Sequence, residues 1–210
     1  MNDLTLIFIT AGERPQKWAK FHAEHLSMLP YPMITMRDEK KMGEQMIYQR
    51  LLEGAKQATT PYIAVVEDDV LYHPDHFKYR PDADTFSYNQ NRWAIFTWDN
   101  GMMYSWRNRK SNCSLIAPRE LAIEALEERF ALNPNAWPWV GELGRHNVER
   151  RLGVTLRKSV EWFSKIAVIQ FNHDGSSEER QGRHRKEHGV MRAYDMPHWG
   201  KSSDLIKHYA

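Results

Sequence analysis

One cysteine, Cys113, stands among 210 residues. That excludes a disulfide framework and a cysteine-built zinc site, and it suits a reducing cytosol. Long apolar runs are missing as well: none approaches the ~18 residues a membrane-spanning helix needs. The opening stretch MNDLTLIFITAGERP has an acidic residue where an export signal needs a basic one. Threonines interrupt its apolar part, so it reads as a first strand. Internal repeats, low-complexity tracts and an evident interdomain linker are likewise lacking, which predicts one domain over 1–210. Aromatic residues are not scarce: they make up 12%, with eight tryptophans, and this excludes intrinsic disorder.

Charge of one sign is also scarce, since the net charge is only +2. The distribution is uneven, however: residues 1–142 sum to −3 and residues 143–210 to +5, with six of the ten histidines in the second stretch. A basic surface of that size permits a polyanionic or phosphate-bearing partner without requiring one.

Strand-like and helix-like segments alternate in the first two-thirds. Leu4 to Thr10 is a short β-branched apolar run, and Pro15 then opens a helical pattern carried by Trp18, Phe21, His22, His25 and Leu26. Met33 to Met36 reads as a second strand, Gly43 to Ala58 as a helix, and Tyr62 to Val66 as a central parallel strand. This β-α-β-α-β order predicts an α/β fold with an open, mostly parallel sheet flanked by helices. Trp93 to Trp98, Asn112 to Ala117 and Ile166 to Phe171 are further expected strands, with a polar hairpin around Arg107 to Lys110. Pro118 to Leu132 and Leu143 to Leu152 are expected helices. Beyond Asn172 the sequence is polar and rich in glycine and histidine, and predicts a loop or a tail ordered by a ligand.

Ligands of open α/β sheets bind outside the carboxyl ends of the strands. Glu67, Asp68 and Asp69 stand there, directly after the third strand. Three adjacent acids repel one another, and a divalent cation offsets that cost; hard carboxylate oxygens suit Mg²⁺ or Mn²⁺. Strand alternation sends Glu67 and Asp69 one way, to share a metal, and Asp68 the other, toward a sugar or ribose hydroxyl. The bland alternative is a solvated turn.

The stretch TTPYIAVVEDDVLYHPDHF (Thr59 to Phe77) resembles the corresponding stretch of small glycosyltransferases of bacteria and phages, which are of the GT-A type. The resemblance implies a Rossmann-like nucleotide-binding sheet whose "DxD" motif is Glu67-Asp68-Asp69, with glutamate at the first acidic position. It further implies a nucleotide-sugar donor held by Thr10, Gly12, Glu13 and Arg14 at the end of the first strand, with Lys41 and Gln45 as contacts from the second helix. Asp69 becomes the metal ligand, and a C-terminal histidine completes the shell: His173 first, His198 as its rival.

Trp137-Pro138-Trp139-Val140-Gly141-Glu142 is the second informative segment. Its paired tryptophans make a rigid platform for a sugar or a base. It resembles, in part, the tryptophan-glycine-acid motif of galactosyltransferase families. Glu142 is therefore the expected general base for the acceptor hydroxyl, Trp137 and Trp139 the sugar platform, and Trp139 a donor contact as well. A core tryptophan pair with a helix-capping glutamate is the plainer alternative. The ending Trp199-Gly200-Lys201 resembles a segment that closes over the donor in the small phage-type group. Lys201 and Arg183, with Arg180, Arg185 and Lys186, would then neutralise the diphosphate. His184 and His188 have metal-like spacing, but cations surround them.

The leading expectation is a metal-dependent glycosyltransferase in the cytoplasm (the host's, if phage-encoded). Its halves would be 1–110 for the donor and 111–171 for acceptor and catalysis, with 172–210 closing over them. The acceptor would be either a hydroxymethylated pyrimidine in DNA or a surface glycan. Nucleotidyl transfer is the enzymatic alternative, although Ala11-Gly12-Glu13-Arg14 is poor in glycine for a phosphate loop. An inactive nucleotide-sugar-binding module is the non-enzymatic one. A His-Asn-His nuclease built on Asn172, His173, His184 and His188 would leave the first 140 residues unexplained.

Overall fold

The computed structural model describes residues 3–11, 14–38, 44–98, 101–105, 109–134, 141–172 and 191–209. Strand β1 (Leu4–Ala11) leads to helix α1 (Gln16–Ser27), strand β2 (Met33–Asp38), helix α2 (Glu44–Gln57) and strand β3 (Tyr62–Glu67). β1 lies between β2 and β3, parallel to both. The apolar alternation expected of the first strand seals both of its faces. Ile7 and Ile9 pack under α2 with Leu51 and Ala55, while Leu4 and Leu6 pack on the other side with Leu26 and Ala64.

The sheet continues beyond β3 through β8 (Leu115–Pro118), β5 (Thr85–Asn89) and β9 (Lys158–Trp162), in the order β2-β1-β3-β8-β5-β9. β8 is antiparallel to both of its neighbours, and β5 and β9 are parallel. The sheet is thus mostly parallel, with one reversed strand. Helix α3 (Arg119–Leu132) packs beside α2 over the Ile7 face.

A second sheet diverges from β3. Its order is β11 (Met191–Ala193), β7 (Met103–Ser105), β6 (Arg92–Phe96), β10 (Val168–Asn172) and β4 (Val70–Leu71). Only two residues separate β3 from β4, so the chain leaves one sheet and enters the other at Asp68-Asp69. The Trp18 indole donates to the Asp68 carbonyl at 2.8 Å, and the Phe171 amide donates to the Asp69 carbonyl at 2.7 Å. Those two bonds pin the acid turn to α1 and to β10.

Several elements differ from the sequence expectation. Asn112–Ser114 is a 3-10 turn, and the strand begins only at Leu115. The helix expected from Leu143 starts at His146, as α4 (His146–Leu152). Past residue 190 the chain is more than a loop: β11, a hairpin of β12 (Asp195–Met196) with β13 (Gly200–Lys201), and helix α5 (Ser202–Tyr209) follow. α5 buries Leu205 and Tyr209 against Trp18 and Phe171, and its His208 ring stacks on Phe21 at 4.1 Å. Much of the hairpin expected around Arg107, at 106–108, lies outside the described residues. Among those described, no helix is long and apolar enough to cross a membrane.

Candidate active site at the mouth of the sheet

The acid turn splits its carboxylates between two environments. Asp68 faces α1 and the end of β1. One of its oxygens accepts from Thr10 Oγ1 and the other from Arg14 Nη2, both at 2.7 Å. Thr10, Arg14 and Asp68, all expected donor contacts, are therefore brought together by binding one another. Burial works against the Arg14 charge, but the Asp68 and Asp69 carboxylates outweigh it and raise its pKa. These three residues open onto a cleft of about 410 Å³ between α1 and strands β1 and β2, lined also by Phe8, His22 and Arg37. His22 is buried with Nε2 2.9 Å from the Val70 carbonyl, and burial lowers its pKa, so the neutral ring donates there. Phe8, Ala23 and Leu26 are its apolar lining, and Arg14 and Arg37 contribute two guanidinium groups.

Glu67 closes β3, and Asp69 is buried in the turn that follows it. Burial pushes both carboxyls well above the usual carboxylate range, and the neighbouring acids push them further. Arg92 and Arg14 pull in the opposite direction. Arg92 is 5% exposed at the start of β6, and it donates through Nη1 to Gln170 Oε1 of β10. Cys113, on the turn before β8, approaches the same Gln170 oxygen at 3.9 Å, and burial with the nearby Glu67 charge pushes its thiol up to about 12. That thiol is inert near neutral pH.

The donor chemistry here fits a hard divalent cation. Two desolvated carboxylates that repel each other gain from a cation between them, and Mg²⁺ is commonly held by one or two carboxylates together with substrate phosphates. Among the described residues no group of three His, Cys, Asp or Glu side chains is arranged to hold a metal ion. Glu67 and Asp69 would thus need oxygens from substrate or water to complete a shell.

Glu142 lies on the segment leading into α4. The Tyr88 hydroxyl donates to the Leu143 carbonyl and Arg129 to the Gly141 carbonyl, each at 2.7 Å, which fixes this segment against β5 and α3. A Cβ at Gly141 would come within 2.7 Å of Val148 Cγ2, so close approach to α4 requires the glycine. The Glu142 carboxylate accepts from Arg145 Nη1 at 3.0 Å. Lys201 is exposed on β13, opposite Asp195 in the hairpin. His198 packs edge-on against His73 at 4.5 Å and against Trp199 at 4.8 Å. Gly12, Glu13, Lys41, Trp137, Trp139, His173, His184, His188 and Arg183, with Arg180, Arg185 and Lys186, lie outside the described residues, as does the Gln45 side chain.

Sequence reasoning passed over Arg92 and Gln170. Each left a signal: a cation opening the strand RWAIF, and one amide inside the apolar run IAVIQF.

No protein-family model matches the chain, and no curated protein matches it. Among solved structures it is similar to a glycosyltransferase involved in the glycosylation of the major capsid of PBCV-1. The TM-score is 0.44 at 13% identity, over 86% of this chain and 98% of that one. It is also similar to the apo-form glycosyltransferase GlyE of Streptococcus pneumoniae TIGR4, with TM-score 0.35 and 12% identity, over 76% of this chain and 45% of that one. A third is the inositol-1-phosphate CTP transferase of T. maritima, with TM-score 0.39 and 9% identity, over 90% and 79% of the two chains. At such scores these likenesses decide nothing about activity, which rests on the site itself.

Proposed function

We propose that the protein is a metal-dependent glycosyltransferase that moves a sugar from a nucleotide-diphosphate donor to an acceptor hydroxyl. The observation that carries this reading is the division of labour in the acid turn. Asp68 is bonded on both oxygens beside an arginine-flanked cleft, while burial and the neighbouring acids hold the Glu67 and Asp69 carboxyls well above the usual carboxylate range. The cleft takes the nucleoside, with Arg14 and Arg37 toward its phosphates. Glu67 and Asp69 hold Mn²⁺ or Mg²⁺, which when bound takes up the negative charge growing on the leaving diphosphate.

The acceptor oxygen then bonds to the anomeric carbon as the bond from that carbon to the phosphate oxygen breaks. The hydroxyl proton passes to Glu142, on the segment that leads into α4. Arg145, at 3.0 Å, orients the Glu142 carboxylate. In this reading His173 contacts the metal, Arg183 and Lys201 the diphosphate, and Trp137 and Trp139 form the sugar platform. A hydroxymethylated pyrimidine in DNA and a surface glycan both meet the requirement for an acceptor hydroxyl. DNA is favoured by the +5 of residues 143–210, because phosphate contacts make such binding fall steeply with salt.

The test is release of free sugar or transfer from a panel of nucleotide sugars with Mn²⁺. Asp69→Asn is expected to lower turnover by at least ~100-fold, the scale of one lost electrostatic contact to the transition state, with an unchanged melting profile. Undiminished turnover in that variant rejects the assignment. Pyrophosphate release from a nucleoside triphosphate and a sugar phosphate would assign nucleotidyl transfer instead. Glu142→Gln is expected to lower kcat by ~10²–10⁴ while leaving donor KM within about twofold; equal losses in both would make Glu142 a binding residue.

A further inference from the structure

Asn172, the last residue of β10, is fully buried, yet neither atom of its side-chain amide has a hydrogen-bond partner among the described residues. Its backbone is firmly placed, because its carbonyl accepts from the Thr97 amide at 3.0 Å. Native proteins rarely bury a polar side chain without satisfying it, so an amide with both ends open calls for a partner that the described residues do not supply.

The register shows where that partner would sit. In the β4–β10 ladder Leu71 opposes Ile169 and Val70 opposes Gln170, and the Phe171 amide donates to the Asp69 carbonyl. Continued by one step, this pairing puts Asn172 beside the acid turn. Strand alternation puts it on the same face as Gln170, which binds Arg92. Arg92, which binds Gln170, keeps one buried donor of its own, Nε, without a partner. The open valences of Asn172 and Arg92 are therefore mixed, two donors and an acceptor.

That mixture selects among ligands. An anion finds no use for the open acceptor and meets the Glu67 and Asp69 carboxylates. An alkyl or aromatic group leaves every open valence unmet. A vicinal diol on a neutral sugar ring donates and accepts at each oxygen and satisfies both kinds. We infer that the Asn172 amide, with Arg92 Nε, forms the subsite that binds the hydroxyls of a neutral donor sugar; this rests on the glycosyltransferase reading and deepens it. Asn172 then determines which sugar is accepted, while the nucleoside is read in the separate cleft beside α1.

The experiment compares wild type, Asn172→Leu and the milder Asn172→Ser, titrated with UDP, GDP, UDP-glucose and GDP-mannose in Mn²⁺ and assayed for donor hydrolysis. Asn172→Leu is expected to weaken binding of the accepted nucleotide sugar by ~10–100-fold, the scale of two hydrogen bonds to a buried amide. Binding of the matching nucleoside diphosphate should stay within about twofold. A deoxy donor lacking the contacted hydroxyl should lose a similar factor with wild type and nothing more with Asn172→Leu. Asn172→Ser serves if the leucine variant does not fold, with a smaller loss confined again to the sugar nucleotide. Equal weakening of diphosphate and sugar nucleotide, or none of either, overturns the subsite and leaves Asn172 as the binder of a structural water. In that outcome wild type still turns donor over, so the glycosyltransferase reading stands. A wild type that neither binds nor hydrolyses any nucleotide sugar overturns both.

Discussion

Asp68 illustrates how a single acid commits its neighbours. It accepts from Thr10 and Arg14, and its side chain and that of Arg14 are only 10% and 18% exposed. The pair gains little over a well-packed apolar alternative, but removing one partner strands the other in a poorly solvated place. Asp68→Ala is therefore expected to cost about 3 kcal/mol of unfolding free energy, read from urea unfolding. Adding Arg14→Met should return part of that loss, because the stranded charge goes with it. Two independent, additive losses would show that the residues do not act as a pair. The position of Asp68 was legible from the sequence: three acids closing a strand can only stand at its carboxyl end. The partner of each acid was not, because the choice depends on where β4 departs. Strand alternation cannot by itself sort them, because residues 68 and 69 form a turn; Arg14 bonds Asp68, and Arg14 and Arg92 both act on Glu67 and Asp69.

The elements that could be read in advance are those long enough to show a period. β1, α1, α2, β3 and α3 each span six residues or more; the strands show as apolar runs buried on both faces, and the buried positions of the helices follow the 3.6-residue repeat. β4 has two residues and β7 three, too few for any periodicity, so the second sheet could not be foreseen. β9 is largely solvent-facing and mixed in composition. α5 was hidden for a different reason: it is one short amphipathic pattern at the end of a polar stretch, and only Trp18, Phe21 and Phe171 give its apolar stripe something to cover. Packing between elements also constrains sequence in ways a propensity scale misreads. Gly54 sits inside α2, where alanine would ordinarily gain about 1 kcal/mol. A Cβ there would come within 2.5 Å of Ile7 Cγ2 and 3.2 Å of Ile7 Cδ1. The helix must then move off β1, and overpacking of this kind costs roughly 1–3 kcal/mol. Gly54→Ala is expected to destabilise on balance, with a lower urea midpoint and no change in slope; a raised midpoint would mean that Ile7 yields without cost.

At the scale of the whole molecule, the interior that carries the site also sets its acid tolerance. Four imidazoles are held below their ordinary pKa, chiefly by burial: His22, His73, His25 at about 4, and His76 at about 3. His76 lies wholly inside the protein against Tyr72 and Phe77, and Asn89 is its hydrogen-bonded neighbour at 3.0 Å. A histidine whose folded pKa lies below its unfolded value binds its proton first in the unfolded chain. Its contribution is fully present above pH ~6.5 and is lost as the pH falls from there toward the folded value. Glu67 and Asp69 work the other way, since their raised pKa values make the folded state gain protons, and stability, as the medium turns acid. The net profile of the wild type therefore mixes opposing slopes, and a single curve would not separate them. The difference between two proteins does. In His76→Leu one buried imidazole no longer titrates, so between pH 6 and 4 its unfolding free energy should fall less steeply than that of wild type, by up to ~1.4 kcal/mol per pH unit. Urea unfolding across that interval measures it. The variant can be less stable throughout without affecting the outcome, because the slope is what is compared, and parallel curves would mean that His76 gains its proton inside the folded protein.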